Sequence, residues 1–510
     1  MSSNSKPTDI RWLVLTLASI TSMILYFHRY TWAIIRPQLE KEYGFSNTEL
    51  EQIFAFFNFT YGIGQIPGGI VSDIFGAHIF LGSIIGLWSL ALICFALAGS
   101  FWVFCGSRLI FGLAQAGAYP SLNTISSIWF APSSRTTLQG FVASFSGRIG
   151  GALAPLIMAT VLMGHCGFSW RTALIIMASV GIFFAAAFLV LFRNSPYLDK
   201  RVNKEERALI KNGYEKKGRV AWTLTPIVIA TFVLCLWLFK LNWITVSLMI
   251  VGLFLFLTPG VKAFFSSLVN NKHEPDPNET EQTIDGAKPK KRILKFSKAA
   301  KHRSYQLLVF QQFSNAGADI VYTSVLGSVF ASKGSSIAEI GVYASLPLFG
   351  GAIGGYVGGY LNDFAIKAFR SRRWARSSMG FLGKALATVC LYTAITQHSA
   401  ESLAWGLFVV KFFSDWSQPT VWGTCTDLGG KNAGTVFSIV NTTGNFGGLV
   451  IPLVVGPLLD HYSTFEMVNG VQERITDYGP MFVMVGIMYM ISAVVWLFIN
   501  CTKPIDPEEA

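Results

Sequence analysis

The sequence predicts an all-α polytopic membrane protein built from two six-helix repeats. Three observations carry that prediction. First, 52% of the 510 residues are hydrophobic and only 13% are charged, with a mean hydropathy of +0.47. Soluble chains carry about 25% charged residues. Second, the apolar residues form continuous runs long enough to cross a bilayer as helices. They lack the period-two alternation of an outer-membrane barrel. Third, spaced motifs in the first half return in the second at a nearly constant offset. Together these exclude a disordered chain and argue against an ordinary soluble enzyme.

Taken in order, the first run spans Trp12 to Ile35. It is too long for a signal-peptide core and has no small-residue cleavage site, so it reads as a membrane helix. Runs near 50–72, 79–99, 101–128, 138–163 and 171–192 complete an N-terminal bundle over residues 1–192. A second set lies near 305–330, 338–360, 376–396, 402–422, 433–458 and 479–500, within 305–510. Between them, 193–304 is a central cytoplasmic linker, basic at both ends (193–219 and 288–303). Two further runs inside it, 222–239 and 243–261, predict an inserted transmembrane hairpin, for 14 crossings in all. A surface-lying or re-entrant pair is the alternative. The net charge of +12 comes mostly from a few loops. It reads as a topology signal placing both termini in the cytoplasm rather than as a nucleic-acid surface.

The repeat rests on two motifs. Gly68-Gly69-Ile-Val-Ser-Asp73 and Gly358-Gly359-Tyr-Leu-Asn-Asp363 are both G-G-x-x-x-D, 290 positions apart. Gly150-Gly151-Ala-Leu-Ala-Pro155 and Gly447-Gly448-Leu-Val-Ile-Pro452 are both G-G-x-x-x-P, 297 apart. Duplicated units of this kind build many transporters, with the substrate site at the repeat interface. The glycine series at 350, 354 and 358 is helix-packing spacing, not a nucleotide loop. Scattered cysteines without a CxxC pair predict neither a disulfide framework nor a metal site. No cofactor is expected, and no HExxH or GxSxG motif suggests an enzyme.

With Tyr61-Gly62, Gln65-Ile66-Pro67-Gly68-Gly69, Asp73 and Gly76, Arg108 with Gly112 and Pro120, Trp129-Phe130, Arg135, Trp170-Arg171, and Asn441 with Gly444, Gly447, Gly448 and Pro452, the chain resembles the major facilitator superfamily. Within it, the chain looks most like the anion:cation symporter group of sugar-acid, sialic-acid and vesicular glutamate carriers. The resemblance implies a secondary transporter working by alternating access, with Gly69, Asp73, Gly76, Gly359 and Asp363 in gating motifs. The second-to-third-helix gate departs from the family pattern, since Ile74, Ala77 and His78 stand where basic residues are usual.

Ionisable residues inside a bilayer cost about 2.5–3.5 kcal/mol on insertion scales, so they are functional candidates by default. Here they are Arg29, Arg108, Arg148, Asp319, Lys384, Lys411 and Asp415, with His28 beside them. At 1.5 Å per residue, Arg29 and Arg108 each lie about 10 Å inside an outer helix end. A guanidinium matches a carboxylate as a planar fork and stays charged. The resemblance also places anion binding or gating at these two arginines, with a snorkelling or structural role as the alternative. Tyr61 and Asn441 are hydrogen-bonding neighbours or simple packing. Lys384, on the ninth run, is expected to snorkel.

Proton-coupled members of the resembled group carry acids where this chain has His28 and Gln115. Coupling then falls to His28, Asp319 or Asp415 within a cavity set that includes Arg148 and Lys411. Asp415 could equally be paired with Lys411 one turn away. Asp319 is favoured, as a buried carboxylate placed near Arg29 and Arg108. The expected substrate is a small organic anion moved with protons. Alternatives are an amino-acid or other zwitterion, anion exchange, potential-driven uniport, and a transporter-shaped solute sensor. The expected setting is the bacterial inner membrane and the expected state a monomer.

Overall fold

A computed structural model describes residues 7–130, 138–139, 141–212, 296–430, 433–468 and 471–505. The expected hairpin at 222–261 lies outside them, as do the side chains of Asp73 and Asp363. The chain divides into two compact units. Of the described residues, the smaller contains 7–9, 129–130 and 200–212. Within it Asn203 Oδ1 accepts from Glu206 N at 3.0 Å, and the Glu206 carboxylate accepts from the Thr8 hydroxyl.

The larger unit is a helical bundle. Its N-terminal half contains α1 (Ile10–Arg29), α2 (Trp32–Tyr43), α3 (Asn47–Phe75), α4 (Ala77–Ala96), α5 (Phe101–Ala116), α6 (Ala118–Trp129, the last residue belonging to the smaller unit), α7 (Phe141–His165) and α8 (Trp170–Leu191). Lys204–Asn212, in the smaller unit, is α9. The C-terminal half contains α10 (Phe296–Lys301), α11 (Arg303–Ala318), α12 (Leu326–Ser332), α13 (Ile337–Phe369), α14 (Arg372–Ile395), α15 (Ala400–Trp416), α16 (Gln418–Gly429), α17 (Ala433–His461) and α18 (Gly479–Phe498). Nine helical segments among the described residues are long and apolar enough to cross a membrane. The six-plus-six runs map onto this order. The first run is α1 and α2, interrupted at Tyr30–Thr31, where Thr31 Oγ1 donates to the His28 carbonyl at 2.8 Å.

Equivalent contacts appear in both halves, as a duplication requires. Gly150 of α7 sits on the Met23 backbone of α1, and Gly447 of α17 sits on the Phe313 carbonyl of α11. A Cβ at either glycine would enter the facing backbone, so only glycine permits this approach. Gly69 faces Pro120 and Gly359 faces Pro419 at ordinary contact distance. Helices α3 and α13 both begin with a capping box, Ser46 with Glu49 and Ser336 with Glu339, again 290 positions apart. In each box the serine and the glutamate satisfy each other's orphan backbone N–H groups.

Two features add to the sequence reading, and one expectation changes. The loop between the eleventh and twelfth runs is an antiparallel hairpin, β1 (Ser463–Val468) with β2 (Val471–Thr476), in which positions 466 and 473 are paired in the backbone register. The gate between α3 and α4 is held by an amide rather than by basic side chains. Gly76 has a φ of 78°, His78 N donates to Asn194 Oδ1 at 2.7 Å, and a Cβ at Gly76 would strike Asn194. Finally, Lys384 does not snorkel. It is fully buried, and its Nζ donates to Ser414 O (3.0 Å), Ser414 Oγ (2.8 Å) and Asn315 Oδ1. The polar face of α14 turns inward because α11 and α15 supply acceptors there.

Candidate functional site

The two halves meet through polar contacts at the bundle end remote from the chain termini. Arg36 of α2 is fully buried and reaches Glu51 Oε1 (3.1 Å), Asn47 Oδ1 (2.7 Å) and Ser328 Oγ (2.6 Å). Ser324 Oγ donates to Glu51 (2.7 Å) and accepts from Trp32 Nε1 (2.9 Å). Asp460, at the end of α17, accepts from the first backbone amides of α3, Asn47 N and Thr48 N, each at 2.9 Å. A carboxylate there meets the positive end of the helix dipole. This network closes the distal end. In the sequence, Arg36 directly follows the first run and Glu51 lies inside the apolar run near 50–72. An acid one residue inside that run was the available signal.

Deeper in, Arg29 lies where α1 gives way to α2. Its guanidinium carbon is 4.3 Å from the Tyr61 ring centre, 4.9 Å from Phe57 and 5.2 Å from Tyr26. Each such cation–π contact contributes about 0.5–2 kcal/mol. Gln115 Oε1 accepts from Arg29 Nε (3.3 Å) and Nη2 (3.2 Å), while Gln115 Nε2 donates to Leu25 O (3.1 Å), which fixes the amide. No carboxylate among the described residues lies within ion-pair distance of Arg29. The result is a positive fork in an aromatic box, oriented by a neutral partner.

Arg108 is not in that box. It is 1% exposed, with its guanidinium 4.5 Å from Trp32 and 4.8 Å from Phe95. Its Nε and Nη2 are buried without hydrogen-bond partners. Phe57, 4.9 Å from the Arg29 guanidinium, and Phe111, 5.7 Å from that of Arg108, have ring centres 5.4 Å apart. Buried donors left unmade cost about 1–3 kcal/mol each, so this site favours any acceptor that reaches it.

A second polar centre joins the halves. Lys411 Nζ bonds Asp319 Oδ1 at 2.6 Å and Asp415 Oδ1 at 2.8 Å. Arg148 Nη2 makes an ion pair with Asp415 Oδ2 at 3.0 Å. The backbone is irregular here: π-helical stretches flank Arg148 (Phe141–Ser146, Leu156–His165) and one follows Asp319 (Val321–Val325). Such bulges reorient side chains at functional sites.

The structure therefore separates what the sequence grouped. Asp319 neighbours Lys411 rather than Arg29 and Arg108, because its place at the end of α11 turns it toward α15. His28 also points elsewhere. Its Nε2 contacts Met177 O (2.9 Å) and its Nδ1 accepts from Trp88 Nε1 (3.1 Å), so α4 and α8 occupy both ring nitrogens. Tyr61 joins Arg29 as expected. Asn441 instead crosses between halves, donating to Gln65 Oε1 at 3.3 Å.

The family model described as Major Facilitator Superfamily matches residues 17–274 and 308–510. The chain belongs to the major facilitator superfamily. A protein named Probable sulfoacetate transporter SauU, from Cupriavidus necator, is 23% identical over 98% of this chain and 96% of its own length. The Hexuronate transporter of Escherichia coli K12 is 29% identical over 42% of this chain and 49% of its own. Among solved structures, a bacterial homologue of the human lysosomal transporter Spinster, inward-facing and occupied, matches at TM-score 0.61 and 15% identity. It covers 98% of this chain and 96% of that one. A D-xylose–proton symporter matches at 0.60 and 16%, covering 96% and 98%. This major facilitator protein is thus a multi-pass membrane transporter, and not an enzyme.

Proposed function

We propose that this transporter carries a small organic anion, a carboxylate or sulfonate, bound by Arg29 and released by alternating access. The observation that carries this reading is the Arg29 box, a cation stacked on three rings and hydrogen-bonded to an amide. An anionic substrate supplies the charge that the box lacks. Relatives named for sulfoacetate, hexuronate and galactarate transport support the same class. Arg108, with two unmade donors, is a second anchor or a gate for the same charge.

We further propose proton symport through Asp319. Asp415 has two cations, Arg148 and Lys411, whereas Asp319 shares Lys411 with Asp415. Protonating Asp319 leaves Lys411 still paired. Its side chain is 20% accessible against 2% for Asp415. A second reading, exchange or potential-driven uniport, draws on Gln115, a group that does not titrate, as the partner of Arg29. In proteoliposomes, uptake of labelled galacturonate, glucarate and sulfoacetate under an imposed pH gradient tests both proposals. Accumulation driven by the pH gradient supports symport. Accumulation driven only by membrane potential replaces symport with uniport. No uptake or counterflow of any of these anions ends the organic-anion reading.

A further inference from the structure

A cavity of about 300 Å³ opens at the terminus-side end of the C-terminal half. His302, Arg303 and Ser304 line it from the start of α11, Arg373 from the start of α14, and Phe498, Asn500 and Lys503 from the end of α18 and beyond. Three of these side chains, Arg303, Arg373 and Lys503, are basic. Arg373 Nε is buried without a hydrogen-bond partner. The Arg373 guanidinium also lies 5.0 Å from the Trp374 ring centre.

His302 caps α11, its ring accepting from Tyr305 N at 3.3 Å. Burial holds this imidazole below its ordinary range, against the opposing pull of a hydrogen bond to the Lys503 backbone and with a smaller push from the Lys503 charge. The N-terminus of the 16-residue α11 adds its own partial positive charge. Among the described residues, no carboxylate lines the cavity.

The wall leading away from the cavity is apolar. Along α18, Ile487, Ile491, Val494, Leu497 and Phe498 are all exposed, ending at the cavity rim. Trp374, 52% exposed, stands at the same level on α14, where an indole suits the boundary between lipid and water. A charged cradle at the head of a continuous apolar strip matches an amphiphile with an anionic head.

We propose that this cavity binds the phosphate headgroup of an anionic lipid, whose acyl chains lie along α18. The phosphodiester accepts from Arg303, Arg373 and Lys503, and Arg373 Nε gains the partner it lacks. The site is remote from Arg29 and independent of the transported substrate.

Native mass spectrometry and thermal unfolding of the full-length protein test the proposal with phosphatidylglycerol, phosphatidylcholine and inorganic phosphate as probes. The expected result is a retained phosphatidylglycerol adduct and a raised unfolding midpoint, neither produced by phosphatidylcholine. The double variant Arg373→Gln/Lys503→Gln should bind phosphatidylglycerol about tenfold or more weakly, given the contribution of each basic residue to anionic-lipid attraction. If that variant does not fold, the single variant Arg303→Gln carries the same comparison, and the parent's selectivity between the two lipids stands on its own. Equal retention of both lipids by the parent overturns the proposal. So does equal affinity of parent and folded variant for phosphatidylglycerol. Displacement of the lipid by inorganic phosphate at equal concentration shows a phosphate site only and overturns the lipid assignment.

Discussion

Arg29 shows how a neutral partner tunes a charged ligand. Gln115 holds the guanidinium by its amide oxygen without cancelling its charge. Arg29→Lys keeps the charge but loses the fork and much of the ring stacking. Transport in proteoliposomes should fall at least tenfold while the unfolding midpoint stays near that of the parent. At Asp319 the charge itself is at stake. Asp319→Asn should abolish accumulation driven by a pH gradient and leave counterflow of the same anion intact, measured in one vesicle preparation. His28 is a contrasting case, because both ring nitrogens are committed within the bundle. His28→Ala should lower stability by about 1–3 kcal/mol through orphaned donors and acceptors. A transport defect that persists in folded His28→Ala protein would reopen its coupling role.

Between helices, the decisive feature is how closely backbones approach. Gly350, Gly354 and Gly358 of α13 lie against the carbonyls of Phe408, Phe412 and Trp416 on α15. The motif legible as packing spacing in the sequence is packing in the bundle. Gly354→Val would drive a side chain into the Phe412 backbone. Overpacking of this kind costs about 1–3 kcal/mol and more where backbone must move. A lower unfolding midpoint in detergent, or loss of folded yield, is the expected result. On α17, Gly447 makes a similarly close approach to the Phe313 carbonyl of α11. By contrast, the burial of Lys384 depends on Asn315 and Ser414, distant in sequence, and no local pattern announces it. The β1–β2 hairpin instead pairs near neighbours in the chain, with Asn469-Gly470 between its strands as a short-range turn signal in the sequence.

Across the whole molecule, Ser324 and Ser328 of the C-terminal half bond the buried Arg36–Glu51 pair of the N-terminal half, and with the Asp460 contacts they tie the halves together at one end. Alternating access requires that closure to be reversible. Removing one member of a buried ion pair costs about 3–5 kcal/mol, because the other charge is left uncompensated. Glu51→Gln should therefore favour states open at that end. In a cysteine-free background, Ile34→Cys, fully buried beside Arg36, should react faster with an impermeant thiol reagent when Glu51→Gln is added. Topology is tested by the same chemistry. Cysteines placed at Ser195 and Ser304 should be protected from outside in intact cells, and one at Glu466 should react.

The membrane class, the twelve apolar runs and the duplication were all legible in the chain, because each follows from local hydropathy or from residues at fixed spacing. The arginine at position 29 was legible too, since a cation within an apolar run is costly enough to demand a role. Which charges meet was not legible. Asp319 and Arg29 have similar depths along their helices, but helix rotation and the π-helical stretches send them to separate polar centres, one with Lys411 and Asp415, the other with Tyr61 and Gln115. Depth along a helix can be counted from residue numbers, whereas facing depends on rotation about the helix axis and on packing between helices. Charge pairing acts over a few ångströms, so the partners of each ionisable group emerge only when the helices are assembled.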